Sequence, residues 1–376
     1  WLFSGAHKIQ GDALKGYFIG PRREMITPWS TNAVEITQNM GIGGILRIEE
    51  FTQTACDNIP YDPMLQAFYK GLDQHIFTID KQPDPIIYID DIRAYNVKEG
   101  LALNPDEIAY LEGLAEYMES GYVPQERSSS SASVTLEYGY DDWAIYNMAR
   151  VMGEQEIANK YFKRAKAYKH LIDPKLGFIR PRDRAGNWKA DFDVLDTHGQ
   201  GFIEGNSWNY SFYIPQDVNG LKAFMGGDKR FIERLDSLFT MELPAKYYAN
   251  TEDITAEGLM GNYVHGNEPS QHIPYLYMWT SQPWKTQYRL REIMDRMYRN
   301  NIDGLCGNDD CGQMSAWYIF SAMGFYPVCP GSDQYVLGAP YFKEMTVHLE
   351  NGKKLVIKAP RVSAENRYVR SVKWNG

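Results

Sequence analysis

The first third of the chain alternates short apolar runs with short amphipathic stretches. A helix with its cap at Ser30-Thr31 is predicted to run to residue 39. The segment Asn-Pro-Asp-Glu at residues 104–107 is a second helix start, because Asn caps, Pro fits the first turn and Glu completes a capping box. Strands are predicted at residues 17–19, 45–48 and 86–89. This alternation indicates an α+β fragment over residues 1–115.

From about residue 117 the pattern changes to apolar residues at helical spacing, separated by loops rich in Gly, Asn and Pro. Helices are predicted at residues 136–152, 155–168, 231–239, 284–299 and 314–323. We count roughly eight helices in this part, fewer than the twelve of a closed six-hairpin ring. The pattern therefore predicts part of a helical ring, over residues 116–334, whose loops build one face.

A β-module is predicted to follow the helices. Apolar residues at 345–349 and 355–357 flank Asn351-Gly352, which is a strong hairpin signal. Residues 335–376 hold too few strands to bury a face of their own. We therefore expect this segment to be a truncated portion of a β-sandwich.

Composition and charge exclude several classes of function. The chain is 44% hydrophobic and 14% aromatic, with a net charge of −9 that is spread along it, so we expect no nucleic-acid partner. No apolar run reaches the roughly 18 to 20 residues of a membrane span. The chain opens on Trp1 without a charged leader, so we expect no signal peptide in it. Four thiols without zinc-site spacing are predicted to be buried or in loops: Cys56, Cys306, Cys311 and Cys329.

Three loops concentrate polar groups beside aromatic residues: the first loop (204–210), the second loop (265–272) and the third loop (307–314). Each has a structural alternative, because Glu204 could cap the next helix, Asp309 or Asp310 could do the same, and Asn267-Glu268-Pro269 could be a turn. Together they offer separate carboxylates, many oxygen ligands and stacking aromatics. That set suits glycoside hydrolysis, in which one carboxyl protonates the leaving oxygen and another acts from the opposite side.

The three loops resemble glycoside hydrolase family 92, the calcium-dependent exo-α-mannosidases. The resemblance covers about residues 117–376 and includes the segments 121–124, 128–130, 135–142, 304–310 and 324–328. It implies an (α/α)₆ toroid with a β-sandwich partner and an inverting hydrolysis of terminal α-mannosidic linkages in glycans. By this resemblance Glu204 is the general acid and Asp310 the general base, with their carboxyls roughly 6.5 to 9.5 Å apart.

The resemblance also implies a calcium ion that holds the mannose O2 and O3 and helps to distort the ring. Its expected ligands are Asn267, Glu268 and Asp310. Trp208, His265 and Gln313 are expected in the substrate pocket.

Two positions depart from the family pattern. Asn308 stands where many members have a second acidic residue. We therefore expect that any help from an acidic side chain at this position in activating water is lost. The segment 251–254 resembles a substrate-binding loop with Glu252 as a contact residue. Its Thr251 replaces the His of α-1,2-specific members, which argues against that linkage.

The front segment resembles a different family, the N-terminal domain of phosphoribosylformylglycinamidine synthase, through residues 20–33, 71–73 and 110–113. It carries no ATP site or glutaminase constellation, so the alternative function is a non-catalytic fragment of that purine-biosynthesis ligase. We interpret the chain as a chimera of two gene fragments, one cytoplasmic and the other periplasmic or secreted. We expect its mannosidase activity to be weak or absent. A non-catalytic carbohydrate-binding module is disfavoured, because both Glu204 and Asp310 are present.

Overall fold

The computed structural model describes residues 11–55, 59–79, 87–247 and 258–375. Contacts divide the chain into two compact units, Trp1–Tyr88 and Ile89–Gly376. The division falls upstream of residue 115, where the sequence resemblances change. Residues 89–115, which the sequence grouped with the front segment, thus belong to the second compact unit.

In its described residues, the first unit has a small antiparallel sheet and one helix. Strand β1 (Ala13–Pro21) lies between β2 (Thr52–Thr54) and β3 (Gln66–Asp73), and helix α1 spans Pro28–Asn39. Phe18 of β1 pairs with Tyr69 of β3, and both side chains are buried. The predicted strand at 17–19 is confirmed, as is the end of the predicted helix at Asn39. The cap is Thr27 rather than Ser30, because the Thr27 side chain accepts a hydrogen bond from the Ser30 amide.

The strand predicted at residues 45–48 is wrong. This stretch pairs with no described strand, and Leu46 is 90% exposed. The backbone amide of Ile48 donates instead to the Ser30 hydroxyl, at 3.1 Å. Of the strand predicted at 86–89, residue 86 lies outside the described residues, and residues 87–89 form no strand.

The second unit is mainly helical. Its helices are α2 (Ile92–Glu99), α3 (Pro105–Ser120), α4 (Ser131–Met152), α5 (Gln155–Arg164), α6 (Ser207–Tyr210), α7 (Val218–Phe224), α8 (Asp228–Thr240), α9 (Glu268–Gln271), α10 (Trp284–Met297) and α11 (Gln313–Met323). Short 3₁₀ turns occur at Ala167–His170, Pro215–Asp217, Ala245–Tyr247 and Ile273–Trp279. The long predicted helices are confirmed with shifted ends. The stretch predicted at 155–168 is interrupted after Arg164 and continues as a 3₁₀ turn.

The capping box predicted for α3 is confirmed. The Asn104 side chain accepts from the Glu107 amide, and the Glu107 carboxyl accepts from the Asn104 amide. At the other end of α3 the buried Tyr117 hydroxyl donates to Asp142 of α4, at 2.6 Å. Helix α3 therefore packs on the helical unit.

Short antiparallel strand pairs occur among the helices and were not predicted. They are β4–β5 (Ile172–Asp173 with Phe178–Ile179), β6–β7 (Leu259–Met260 with Tyr263–Val264) and β8–β9 (Phe325–Tyr326 with Val336–Leu337). Each strand has two residues, too few to produce a period-two pattern. The predicted hairpin is confirmed as β10 (Glu344–His348) and β11 (Lys354–Lys358), in register from Glu344 opposite Lys358.

The core of the second unit is aromatic. Tyr275 stacks on Tyr326 with ring centroids 5.0 Å apart, and Trp317 has no exposed surface. No helix among the described residues is long and apolar enough to cross a membrane.

Candidate active site

The first loop leads into helix α6, which is capped by Asn206. Its side chain accepts from the Asn209 amide, and the Asn209 side chain accepts from the Asn206 amide. The side-chain amide of Asn206 also exchanges hydrogen bonds with the side-chain amide of buried Asn262, in the β6–β7 turn. The capping role considered for Glu204 is thus filled by Asn206. Glu204 is exposed, and its φ of +52° is in the left-handed region.

The second loop begins at His265, which is fully buried. Its Nδ1 lies 2.8 Å from the Tyr263 hydroxyl, and its Nε2 lies 2.7 Å from the Tyr298 hydroxyl. The His265 ring also meets Trp317 edge to face, with centroids 4.3 Å apart. We call Tyr263, His265, Tyr298 and Trp317 the aromatic cluster. Burial lowers the pKa of His265 to about 3, so its imidazole is neutral near neutral pH.

The hydrogen-bond partners assign the tautomer of His265. The Tyr298 hydroxyl donates its one proton to the Met314 carbonyl, at 2.9 Å, so it can only accept from His265. Nε2 therefore carries the proton, and Nδ1 accepts from the Tyr263 hydroxyl. This series of hydrogen bonds joins β7, the end of α10 and the start of α11.

The third loop distinguishes two neighbouring carboxylates. Both oxygens of Asp309 are occupied, since Oδ1 accepts from the Ser315 amide and Oδ2 from the Ser315 hydroxyl, each at 2.9 Å. Asp309 therefore anchors the start of α11. Asp310 is exposed with a φ of +39°, and Cys311 and Gly312 continue the left-handed conformation at +57° and +91°. Such conformations cost about 1–3 kcal/mol per non-glycine residue and concentrate at functional sites.

The three loops touch one another. A Cβ on Gly307 would lie 2.9 Å from the Gly266 Cα, which is closer than real Cβ contacts, so the second and third loops cross where both residues lack a side chain. The Asn267 side-chain amide donates to the Glu204 carbonyl at 2.7 Å. The first loop is thereby attached to the second.

The carboxyls of the three loops interact electrostatically. The pKa of Glu268 is raised, first by partial burial and then by a hydrogen bond and negative charge from Asp310, with Glu204 adding further charge. We call Glu204, Glu268 and Asp310 the carboxyl cluster. Carboxyls from two other loops thus influence Glu268, and their negative charge favours a proton on it.

The other predicted site residues lie in different surroundings. Trp208 packs on Phe178, with centroids 4.7 Å apart, and is half-buried against the core. The Gln313 side chain donates to buried Gln271 at 2.9 Å. Asn308 is exposed beside the cluster residues. Glu252 lies outside the described residues. In this structure His265 is buried and packed among aromatic side chains. A contact between His265 and the substrate stays a prediction.

Sequence reasoning did not single out Glu137 as a site residue. Its carboxyl accepts from the Tyr213 hydroxyl at 2.9 Å, and burial raises its pKa. Burial raises the pKa of Tyr210, and the negative charges of Glu137, Glu204 and Glu268 raise it further. Glu137 and two members of the carboxyl cluster thus influence Tyr210. The available signal for Glu137 was its position in the motif 135–142, which the resemblance to family 92 includes.

Metal binding would need oxygen donors from the loops. Within residues 11–55, 59–79, 87–247 and 258–375, no group of three or more His, Cys, Asp or Glu side chains is arranged to hold an ion. Glu268 and Asp310 do supply two adjacent carboxyls, and Asn267 adds an amide oxygen. This all-oxygen donor set fits a hard cation such as Ca²⁺.

Comparison with known proteins connects this geometry to one family. The model of the glycosyl hydrolase family 92 catalytic domain matches residues 67–376. A second model, the N-terminal part of formylglycinamide ribonucleotide amidotransferase, matches residues 4–74. The two matches meet at residues 67–74, so the family 92 match begins well before residue 117.

Individual relatives agree with the larger match. An uncharacterized secreted glycosidase of Arthroderma benhamiae is 27% identical over 297 residues, covering 70% of this chain and 36% of the relative. A family 92 α-mannosidase of Bacteroides thetaiotaomicron, solved with mannoimidazole, is 42% identical with a TM-score of 0.65, covering 75% of this chain and 37% of its own. An inverting family 92 mannosidase of that bacterium is 39% identical with a TM-score of 0.62, covering 75% and 39%. The chain thus spans little more than a third of these relatives.

Proposed function

Because the chain belongs to glycosyl hydrolase family 92, we propose that it hydrolyses terminal α-mannosidic linkages of mannose-containing glycans, with inversion at the anomeric carbon. The substrate and the inverting outcome are supported by the solved relatives, which include a mannoimidazole complex and an inverting mannosidase. The helical unit would then be part of an (α/α)₆ toroid, and residues 335–376 part of a β-sandwich.

The observation that carries the proposal is the backbone at Glu204 and Asp310. Both residues have left-handed φ values, both are exposed, and both act on the same third carboxyl, Glu268. Strain at two separate loop tips that converge on one site is expected when geometry serves chemistry rather than packing. Asp309, which is adjacent in sequence, makes the packing contacts instead.

In the proposed reaction Glu204 donates a proton to the glycosidic oxygen as the leaving group departs. Asp310 accepts a proton from a water molecule, which attacks the anomeric carbon from the opposite face. Glu268 adds negative charge near the positive charge that develops on the sugar ring. The Asn267 amide fixes the Glu204 backbone and so orients the proposed acid. Asn308 would contribute less to water activation than a carboxylate at that position.

We also propose that the site uses calcium, held by oxygens of Asn267, Glu268 and Asp310. When bound, calcium supplies coordination of sugar hydroxyls by a hard cation. The donation from the Asn267 nitrogen to Glu204 leaves the amide oxygen of Asn267 as an acceptor. Trp208, Gln313, His265 and Glu252 remain proposed substrate contacts, of which Trp208 and Gln313 keep partial exposure.

The test is hydrolysis of two aryl α-mannosides by the whole chain, followed by NMR of the anomer released first. We expect slow turnover that a chelator abolishes and added calcium restores. Glu204→Gln is expected to lower kcat/KM about 10²- to 10⁴-fold for a 4-methylumbelliferyl mannoside. The loss should be smaller for a 2,4-dinitrophenyl mannoside, because that leaving group needs no proton.

Glu119→Gln is the matched control, since Glu119 is an exposed glutamate of α3 outside the loops. If Glu204→Gln hydrolyses both substrates like the unaltered chain, the acid assignment fails. Rapid turnover by the unaltered chain would contradict the expectation of weak activity. A second readout is the rise in Tm on adding calcium, which Asp310→Ala should reduce.

The first unit has a different candidate role. Its match to the amidotransferase N-terminal model supports a non-catalytic fragment of phosphoribosylformylglycinamidine synthase. The chain would then be a chimera in which the part up to about residue 74 comes from a cytoplasmic protein and the glycosidase part from a periplasmic or secreted one, so the junction lies near residues 67–74 and not at residue 115. A continuous long sequencing read through this region of the source DNA would support a real fusion, and divergent reads would exclude it.

A further inference from the structure

A cavity of about 260 Å³ lies in the second unit, away from the three loops. Its walls come from α4, the 3₁₀ turn Pro215–Asp217, the end of the turn Ile273–Trp279 and the connection between β8 and β9. Its lining includes none of Glu204, Glu268 and Asp310. The cavity is therefore separate from the carboxyl cluster.

Two tryptophans line this cavity, Trp143 and Trp279. Trp143 is half-buried and stacks on Tyr140, with centroids 5.8 Å apart and planes 23° from parallel. The Tyr140 hydroxyl donates to the Pro330 carbonyl, and a Cβ on Gly331 would lie 3.5 Å from the Trp143 ring. These contacts fix the indole before any ligand arrives, so its face is a prepared stacking surface.

Polar groups of the cavity have hydrogen-bonding capacity left. The side-chain oxygen of Gln216 is buried and has no hydrogen-bond partner among the residues that the structure describes. A half-turn about its last torsion exchanges this oxygen for the amide nitrogen, so either atom can be presented. The Asp217 carboxylate is held by the Tyr168 hydroxyl at 2.8 Å and the Gly220 amide at 3.0 Å. It retains lone pairs for further donors.

This chemistry selects a class of ligand. The lining contains no Lys, Arg or His and includes one carboxylate, so an anionic ligand would meet repulsion without compensation. Indole faces, amides and a carboxylate together suit the C–H faces and hydroxyls of a sugar. The volume of about 260 Å³ is just below the roughly 300 to 1,000 Å³ of most ligand pockets, which limits the ligand to a single ring. We propose that the cavity binds one neutral hexopyranose ring, as a sugar site separate from the candidate active site.

The proposal relies on the proposed mannosidase function only for the choice of probe. Binding of methyl α-D-mannopyranoside to the whole chain is measured by saturation-transfer NMR, in the presence of a chelator. We expect saturable binding that Trp143→Ala and Gln216→Leu each weaken about tenfold. Gln216→Leu keeps the side-chain size and so limits disturbance of the fold. Trp284→Ala is the control, because Trp284 is 49% exposed and lies outside the lining.

Asp310→Asn separates this site from the carboxyl cluster. We expect it to leave the binding that depends on Trp143 unchanged, because Asp310 lies outside the lining. If Asp310→Asn removes the binding and the two cavity variants keep it, the sugar sits at the carboxyl cluster and the cavity proposal is overturned. The absence of saturable binding also overturns it. Binding that depends on Trp143, in a chain without mannosidase activity, would support the cavity site and count against the proposed reaction alone.

Discussion

The aromatic cluster and the carboxyl cluster are neighbours in sequence and contrast in construction. In the aromatic cluster, Tyr263, His265 and Trp317 have no exposed surface, and each of the two tyrosine hydroxyls is hydrogen-bonded to His265. In the carboxyl cluster all three residues are exposed, and the backbone is left-handed at Glu204 and Asp310. Burial drives the His265 pKa down to about 3, whereas the pKa of Glu268 is raised.

The contrast shows how this unit separates positioning from chemistry. The buried polar chain is complete, so a change of protonation there would break hydrogen bonds that join β7, α10 and α11. The exposed carboxyls have few partners among the described residues and can exchange protons with solvent. We therefore expect mutations in the aromatic cluster to act through stability, and mutations in the carboxyl cluster to act through activity.

The largest expected effect is that of Asp310→Asn on turnover. Removing a general base typically costs 10²- to 10⁴-fold, and we expect about 10³-fold in kcat/KM for an aryl α-mannoside, or roughly 4 kcal/mol. Stability should change little, because Asp310 is exposed. The measurement is steady-state kinetics at saturating calcium, together with thermal unfolding.

Asp309→Asn is the matched control for that prediction. The variant keeps an oxygen that can accept from the Ser315 amide, but it loses the charge beside the start of α11 and the second oxygen, which accepts from the Ser315 hydroxyl. We expect a loss of about 0.5–1 kcal/mol in the free energy of unfolding and nearly unchanged kcat/KM. Similar losses of activity in both variants would mean that the two carboxylates are not divided between anchoring and chemistry.

The next largest effect is expected for His265→Leu in the aromatic cluster. The variant leaves the buried Tyr263 hydroxyl without its acceptor, and an unsatisfied buried group costs about 1–3 kcal/mol. Adding the lost packing, we expect about 3 kcal/mol less stability in urea unfolding. The double variant with Tyr263→Phe removes the orphaned hydroxyl and should recover part of the loss. If the double variant loses as much stability as the two single variants together, the hydrogen bond between Tyr263 and His265 is contradicted.

Much of the helical unit could be predicted from the sequence. The stretches that became α4, α8, α10 and α11 carry their own periodicity, and the capping box at Asn104 is complete within four residues. The hairpin around Gly352 is also local, because the turn residues set its register. The two-residue strand pairs were missed because such short strands show no period-two pattern. The strand predicted at 45–48 failed because a side chain, Ser30, took the hydrogen bond that a strand needs.

The candidate site shows the same division. Residue types in the three loops predicted a carboxyl-rich site, and family resemblance named Glu204 and Asp310. Without the resemblance, the residue pattern could not distinguish Asp310 from Asp309, because the difference is that Ser315 donates its hydrogen bonds to Asp309. Nor could it show that His265 is enclosed by two tyrosines. The contact of Gly266 with Gly307 joins residues 41 positions apart by count along the chain, which no local pattern records.

The last prediction concerns pH, and its effect is small when counted per pH unit. We expect the protein to lose stability in acid because of His265. Its pKa in the folded chain is about 3, below the ordinary value of 6.5, so the unfolded chain binds a proton that the folded chain excludes. This stability is present above pH 6.5 and falls by about 1.4 kcal/mol per pH unit as the pH decreases towards 4. His272, with a pKa lowered to about 4 by burial, adds a similar slope.

Comparing the unaltered chain with His265→Leu isolates one of these histidines, because His272 and the carboxyls contribute to both. At pH 7 the variant should be less stable by about 3 kcal/mol. Between pH 6.5 and 4 the unaltered chain alone loses the His265 contribution, so the two stabilities should converge. Urea unfolding at half-unit pH steps measures the gap. If the gap stays constant, His265 accepts a proton in the folded chain as readily as in the unfolded chain. The aromatic cluster would then exchange protons as the carboxyl cluster is expected to do.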